Sequence, residues 1–284
     1  MRDPHVERLH YTIESQEGVA YENPPPLSQS HAFGEFRLQD GRLTVTLRDH
    51  FADELAAREA VDPVLRDWAI GTDLRLGIGT IRFTFDKADV VDRNPPPPGT
   101  VYRFVSGVAT LTAGSATLKG VGRAVHSKYP DLLTSFQATP EVMKWHKRWT
   151  NLQKGREPLS TFAYALLSHL EARTGEKRRV REKAAEMFKI DLAVLDKLGN
   201  LSGESRGDLV TGRKFKAGTP MKPLDPSEEI WLKETVRRVI FRLGEHAVGG
   251  PLTPITLGDL PRIWETVGID WTALKPVPTR NPSH

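Results

Sequence analysis

The sequence predicts an α+β fold: a β-rich N-terminal domain with an antiparallel sheet and a helical insert, followed by a mostly α-helical C-terminal domain. Three observations predict it. Up to about residue 140, short apolar–polar alternations are separated by Gly, Pro and Asp turn signals, whereas beyond it the apolar residues recur every three to four positions. The charge divides at the same place: residues 1–140 carry 15 Lys+Arg against 18 Asp+Glu, and residues 141–284 carry 25 against 18. A length of 284 residues suits two domains, each able to bury its own core. The expected division is a β-rich domain over 1–138, a connecting helix over 139–157 and a helical domain over 158–284.

In the first domain Arg8–Glu14 alternates as a strand. Gly34–Leu38, Asp40-Gly41 and Arg42–Arg48 predict a tight hairpin, because Leu43, Val45 and Leu47 share one face and Asp-Gly tolerates positive φ at both turn positions. Asp53 predicts a helix N-cap, with the helix over roughly 54–60. Asp62-Pro63 predicts a restart of the helix, running to about Ile70. Leu74–Asp86 alternates again, with Ile81, Phe83 and Phe85 on one side, and Val101–Lys119 reads as two or three further strands. The runs Pro24–Pro26 and Pro95–Pro98 suit stiff connections between strands or polyproline II ligands.

The second half opens on Thr139-Pro140-Glu141, a cap, a first-position Pro and a first-turn acid. Val142, Trp145, Trp149 and Leu152 then form a stripe, with Lys147 and Arg148 among the basic residues between them. The pattern fits an amphipathic helix anchored by two Trp, or a surface that stacks bases and holds phosphates. Pro158 to Arg173 predicts a helix with His169 and Arg173 beside its apolar face. Glu182–Leu198 has the apolar spacing of a helix-turn-helix, but its second helix offers Asp196 and Lys197 and is flanked by Asp191, a poor set for base edges. Leu198–Lys222 reads as a long loop rich in Gly and basic residues, with Arg206, Arg213, Lys214 and Lys216 as anion ligands. The last long helix begins near Pro226-Ser227 and ends at Gly249-Gly250-Pro251. On it Arg238, Arg242 and His246 recur every four residues. A short helix over 261–268 and a frayed tail from Lys275 close the chain.

The absence of Cys excludes disulfides and thiolate chemistry. No apolar run reaches the length of a membrane span and no signal-peptide pattern opens the chain, so a soluble cytoplasmic protein without membrane contact is expected. The nine His lack zinc-ligand spacing, and there is no nucleophile elbow, P-loop or dinucleotide fingerprint. No cofactor or metal is expected. Residues 142–222 hold 18 basic and 9 acidic residues, a local excess that attracts polyanions. Arg238, Arg242 and His246 are the candidate catalytic residues, since Arg clamps a phosphate and His moves a proton near neutral pH.

At that ribbon the chain resembles the HEPN superfamily of helical domains, over roughly residues 158–250. The family signature is an Arg, four to six intervening residues and a His on a late helix. Here Arg242-Leu-Gly-Glu-His246 has three between and Arg238 to His246 has seven. The resemblance implies a bacterial two-domain protein of the toxin or antiviral type, with RNA as the partner and metal-independent RNA cleavage as the activity. The competing expectation is a non-catalytic module whose β-rich domain binds a protein or ligand while the helical half supports assembly, a homodimer included.

Overall fold

The computed structural model describes residues 3–16, 19–94, 124–204 and 224–262. The fold is α+β, as expected. By its contacts the chain divides into two units: Met1–Glu157 with Arg237–Thr253, and Pro158–Val236 with Pro254–His284.

The first unit is built on a five-stranded antiparallel sheet. Its strands are β1 (Pro4–Glu14), β3 (Leu27–His31), β4 (Gly34–Gln39), β5 (Arg42–Leu47) and β6 (Arg82–Asp92), in the order β3-β4-β5-β1-β6. A short parallel pair, β2 (Val19–Tyr21) and β7 (Ala124–His126), stands apart from it. The hairpin forms where Asp40-Gly41 predicts it: both turn residues have positive φ, 50° and 70°, and Leu38 pairs with Leu43. Pro24–Pro26 lie in the connection between β2 and β3, whereas Pro95–Pro98 and the strands expected over 101–119 fall outside the described residues.

One face of the sheet, with Leu9, Tyr11, Phe36, Leu38, Leu43, Val45 and Leu47, is buried with Ala57, Val61, Leu65 and Trp68 of helix α1 (Glu54–Leu76). Two expectations are corrected here. The helix does not stop and restart at Asp62-Pro63, because the apolar stripe runs through Pro63 from Val61 to Leu65. The Asp62 carboxylate accepts from Tyr11 at 2.8 Å and pairs with Arg58 at 3.4 Å instead of capping a helix start. Nor is Leu74 in a strand: α1 continues to Leu76, Gly77 ends it at φ 121°, and β6 begins only at Arg82.

Helix α2 (Pro140–Gln153) starts as expected, with Thr139 accepting from the Val142 N–H at 3.2 Å. The segment before it carries buried Tyr129, Leu132, Phe136 and Ala138. Its Ala138 N–H donates to Asp67 at 2.8 Å, and burial holds the Asp67 carboxyl above its ordinary range despite that bond. Phe136 fits where Gly71 of α1 and Gly244 of the last helix leave no side chain in its way, and it stacks on Phe241 with centroids 4.9 Å apart.

The second unit packs α3 (Leu159–Arg173), α4 (Val180–Phe188) and α5 (Leu192–Gly199) around Phe162, Leu166, Leu170, Phe188, Leu195 and Leu198. The α4–α5 corner turns at Lys189, whose φ of 51° places a Lys in a conformation that Gly usually takes. Asp191 N–H and Ile255 C=O join at 2.9 Å behind this corner. The last helix, α6 (Pro226–Val248), belongs to the second unit up to Val236 and to the first from Arg237. The expected helix over 261–268 lies almost wholly outside the described residues.

Candidate active-site pocket beside the first helix

The residues singled out from sequence fall into separate groups. Arg238, Arg242 and His246 lie on the part of α6 that belongs to the first unit. Arg242 is buried: its Nη2 donates to Thr253 C=O at 2.6 Å and its Nε pairs with Glu245 at 2.9 Å, so the guanidinium ties the end of α6 to the chain that follows. Arg238 and His246 are half-buried. On α2, Trp145 and Trp149 are buried, which fits the anchoring role and removes their faces from base stacking. Arg148 lies over the Trp145 ring at 4.7 Å and pairs with Glu157, while Lys147 is exposed. His169 and Arg173 stand on α3 in the second unit, half-buried and exposed. Arg206, Arg213, Lys214 and Lys216 lie outside the described residues.

The structure brings together a different set. A cavity of about 410 Å³ opens between α1, the edge strand β6, the end of β1 and α2. Its apolar lining includes Leu65, Ile70, Phe83 and Phe85, and its polar lining includes Arg58, Arg66, Arg82, Tyr11, Glu14 and His146. β6 supplies Arg82 and the two Phe from the sheet edge, where its far side has no strand partner among the described residues.

Behind the pocket stands Asp73, in the last turns of α1 and wholly buried. One of its oxygens accepts from Gly79 N–H at 2.7 Å, and the other from Arg82 at 3.2 Å and from His146 Nε2 at 2.9 Å. A carboxylate that accepts all three fixes the proton of a neutral His146 ring on Nε2 and leaves the lone pair on Nδ1. None of the hydrogen bonds of His146 among the described residues uses Nδ1. This is the connectivity of a carboxylate-oriented general base.

The other walls are also charged. Arg58 lies over Phe85 at 4.3 Å and pairs with Asp62 and Glu54. Burial pushes the Tyr11 hydroxyl well above its ordinary range, and its bond to Asp62 adds to the shift. Arg66 is exposed and makes no ion pair among the described residues; its guanidinium reaches the Met143 sulfur at 3.9 Å, and its charge acts on nearby Asp67. The pocket therefore offers a guanidinium to an incoming anion, an apolar floor and a His with an open nitrogen.

No family model, curated protein or solved structure matches this chain.

The charged residues of the pocket were not singled out from sequence, and the expectation that the helix ends near Ile70 hid the one signal that was present. Asp73 falls four residues after buried Ala69 and eight after Leu65, so an acid interrupts the apolar stripe of a helix. An acid at such a position needs partners. Those partners, Arg82 across a turn and His146 on another helix, become neighbours only when α2 packs near α1.

Among the described residues no group of His, Asp and Glu could hold a metal ion, and no helix is long and apolar enough to cross a membrane.

Proposed function

We propose that the first unit binds a small anionic molecule with a flat apolar part in this pocket, with His146 as the proton acceptor beside it. The observation that carries the reading is the convergence of Arg58, Arg66 and Arg82 with the Asp73–His146 pair on one cavity floored by Phe83 and Phe85. Guanidinium forks suit carboxylate or phosphate oxygens, and aromatic walls suit a ring. This is the ligand-binding alternative for the β-rich half.

Phenyl phosphate and benzoate are suitable probes, followed by titration calorimetry. Arg66→Ala is expected to weaken phenyl phosphate binding at least tenfold, about 1.4 kcal/mol, with the thermal transition unchanged because Arg66 is exposed. Equal affinity in wild type and variant would reject the reading.

A second reading, RNA binding by the helical unit, is favoured by exposed Lys177, Arg178, Lys183 and Lys189 around α4. The cleaving version of it, through Arg238, Arg242 and His246, gains nothing from the geometry, since Arg242 is committed to Thr253 and Glu245. Lys177→Ala with Arg178→Ala is expected to lower RNA affinity and to flatten its salt dependence by about two counterions. An unaltered salt slope would remove this reading.

A further inference from the structure

We infer that the open face of the five-stranded sheet binds a nucleic-acid backbone. This face points away from α1, and its chemistry follows from strand alternation. In β5, Leu43, Val45 and Leu47 are buried in the core, which sends Arg42, Thr44 and Thr46 to the other side. Cross-strand register then sets Arg37 of β4 and His10 of β1 on either side of Thr44, and Arg8 beside Thr46. The result is a concave surface of about 500 Å³ lined by three Arg against one acid, Asp40.

The positive charge on this face is available. Arg37 reaches only the Gln39 side-chain oxygen, at 3.0 Å, and neither Arg37 nor Arg42 makes an ion pair among the described residues. Arg8 meets Glu7 at 3.6 Å, with both side chains a little under half exposed, a pair of little strength. The neighbouring acids are occupied: Glu35 by Arg48, and Asp89 by His10 at 2.8 Å and Lys87 at 3.4 Å. Thr44 stands 3.3 Å from His10 Nδ1, so Asp89, His10 and Thr44 form a hydrogen-bonded row that orients the hydroxyl.

Guanidinium groups interleaved with hydroxyls match the acceptor oxygens of successive phosphates. Among the described residues the lining has no apolar, Tyr, Trp or Phe side chain to hold the side chains of an acidic peptide, and its one ring, His10, is held at both nitrogens by Asp89 and Thr44. Binding is therefore by backbone charge and independent of sequence. The site lies on a different surface from the pocket proposed above and takes a different ligand.

Fluorescence anisotropy with a labelled oligo(dT) tests it on the full chain. Arg37→Ala with Arg42→Ala is expected to lower affinity at least tenfold at low salt. It should also reduce the slope of log K against log salt by about two. Phenyl phosphate binding should stay as in wild type, which keeps this test separate from that of the pocket. Both side chains are exposed, and Arg42→Glu alone is a second variant that should weaken binding by charge reversal. Polyglutamate of equal charge should bind more weakly than the oligonucleotide and respond less to the variants. Unchanged oligo(dT) affinity in both variants, or parallel losses for polyglutamate at equal affinity, would overturn the inference.

Discussion

Replacing Phe136 with Ala is expected to cost about 3–5 kcal/mol, the range for deleting a buried aromatic ring. For a unit of this size each kcal/mol lowers the thermal midpoint by about 2–4 °C, so a fall on the order of 10 °C should be visible by circular dichroism. The size of the effect comes from the place of the ring. It is 3% exposed and stacks on Phe241. It is also accommodated by two glycines on different helices: a Cβ at Gly244 would collide with the Phe136 ring, and one at Gly71 would meet its Cδ1 at 3.1 Å and collide with Leu133. The same segment is fixed by Gln137 N–H donating to Gly244 C=O at 3.1 Å. Gly244→Ala should therefore also destabilise, by about 1–3 kcal/mol of overpacking, even though Ala is the better helix former. In the double variant Gly244→Ala with Phe136→Leu the two losses should not add, since the smaller side chain makes room for the methyl. A neutral Gly244→Ala would show that this joint is looser than its geometry indicates.

The second large effect is expected at Asp73. Asp73→Ala should cost about 2–4 kcal/mol, because it leaves the Gly79 N–H and the His146 Nε2–H in a buried place without their acceptor. The figure is set below that for a fully buried ion pair, since the Arg82 side chain is 47% exposed and can turn to water. Asp73→Asn retains an oxygen for Gly79 and should cost less, while removing the charge that orients His146. Ring nitrogen shifts of His146 then separate a structural from a functional role: in wild type they should report a proton fixed on Nε2, and in Asp73→Asn a mixture of tautomers. Loss of phenyl phosphate binding without a change of tautomer would place Asp73 in the scaffold alone. An Asp73→Ala variant within about 0.5 kcal/mol of wild type would contradict the burial argument itself.

The local elements that were legible are those whose signal lies within a few residues. Asp40-Gly41 needs only its own positive φ to make the hairpin, and Thr139-Pro140 only its own hydroxyl and fixed φ to start α2. The misreadings at Asp62-Pro63 and Leu74 have a common cause. Both put a local breaker or alternation above a stripe of buried residues that runs from Ala57 to Leu74, and burial along that stripe outweighs the one backbone hydrogen bond that Pro63 forfeits. The Trp145/Trp149 stripe was legible as an anchor because both rings share one face of the helix.

The candidate sites separate along the same line. Local pattern along the chain was enough for the class of the fold, its change of texture near residue 140, the hairpin and the helix starts. It also determined which residue types were present to meet an anion. Which of them meet was settled by packing. It committed Arg242 to a carbonyl and a neighbouring Glu, and it carried His146 to an Asp 73 positions earlier. It also set Arg37, Thr44 and His10 in one row from three strands. The physical reason is that capping, turn geometry and amphipathic period act between near neighbours in the chain. A site, in contrast, is a set of distances between side chains far apart in sequence, fixed only when the apolar faces beneath them have packed.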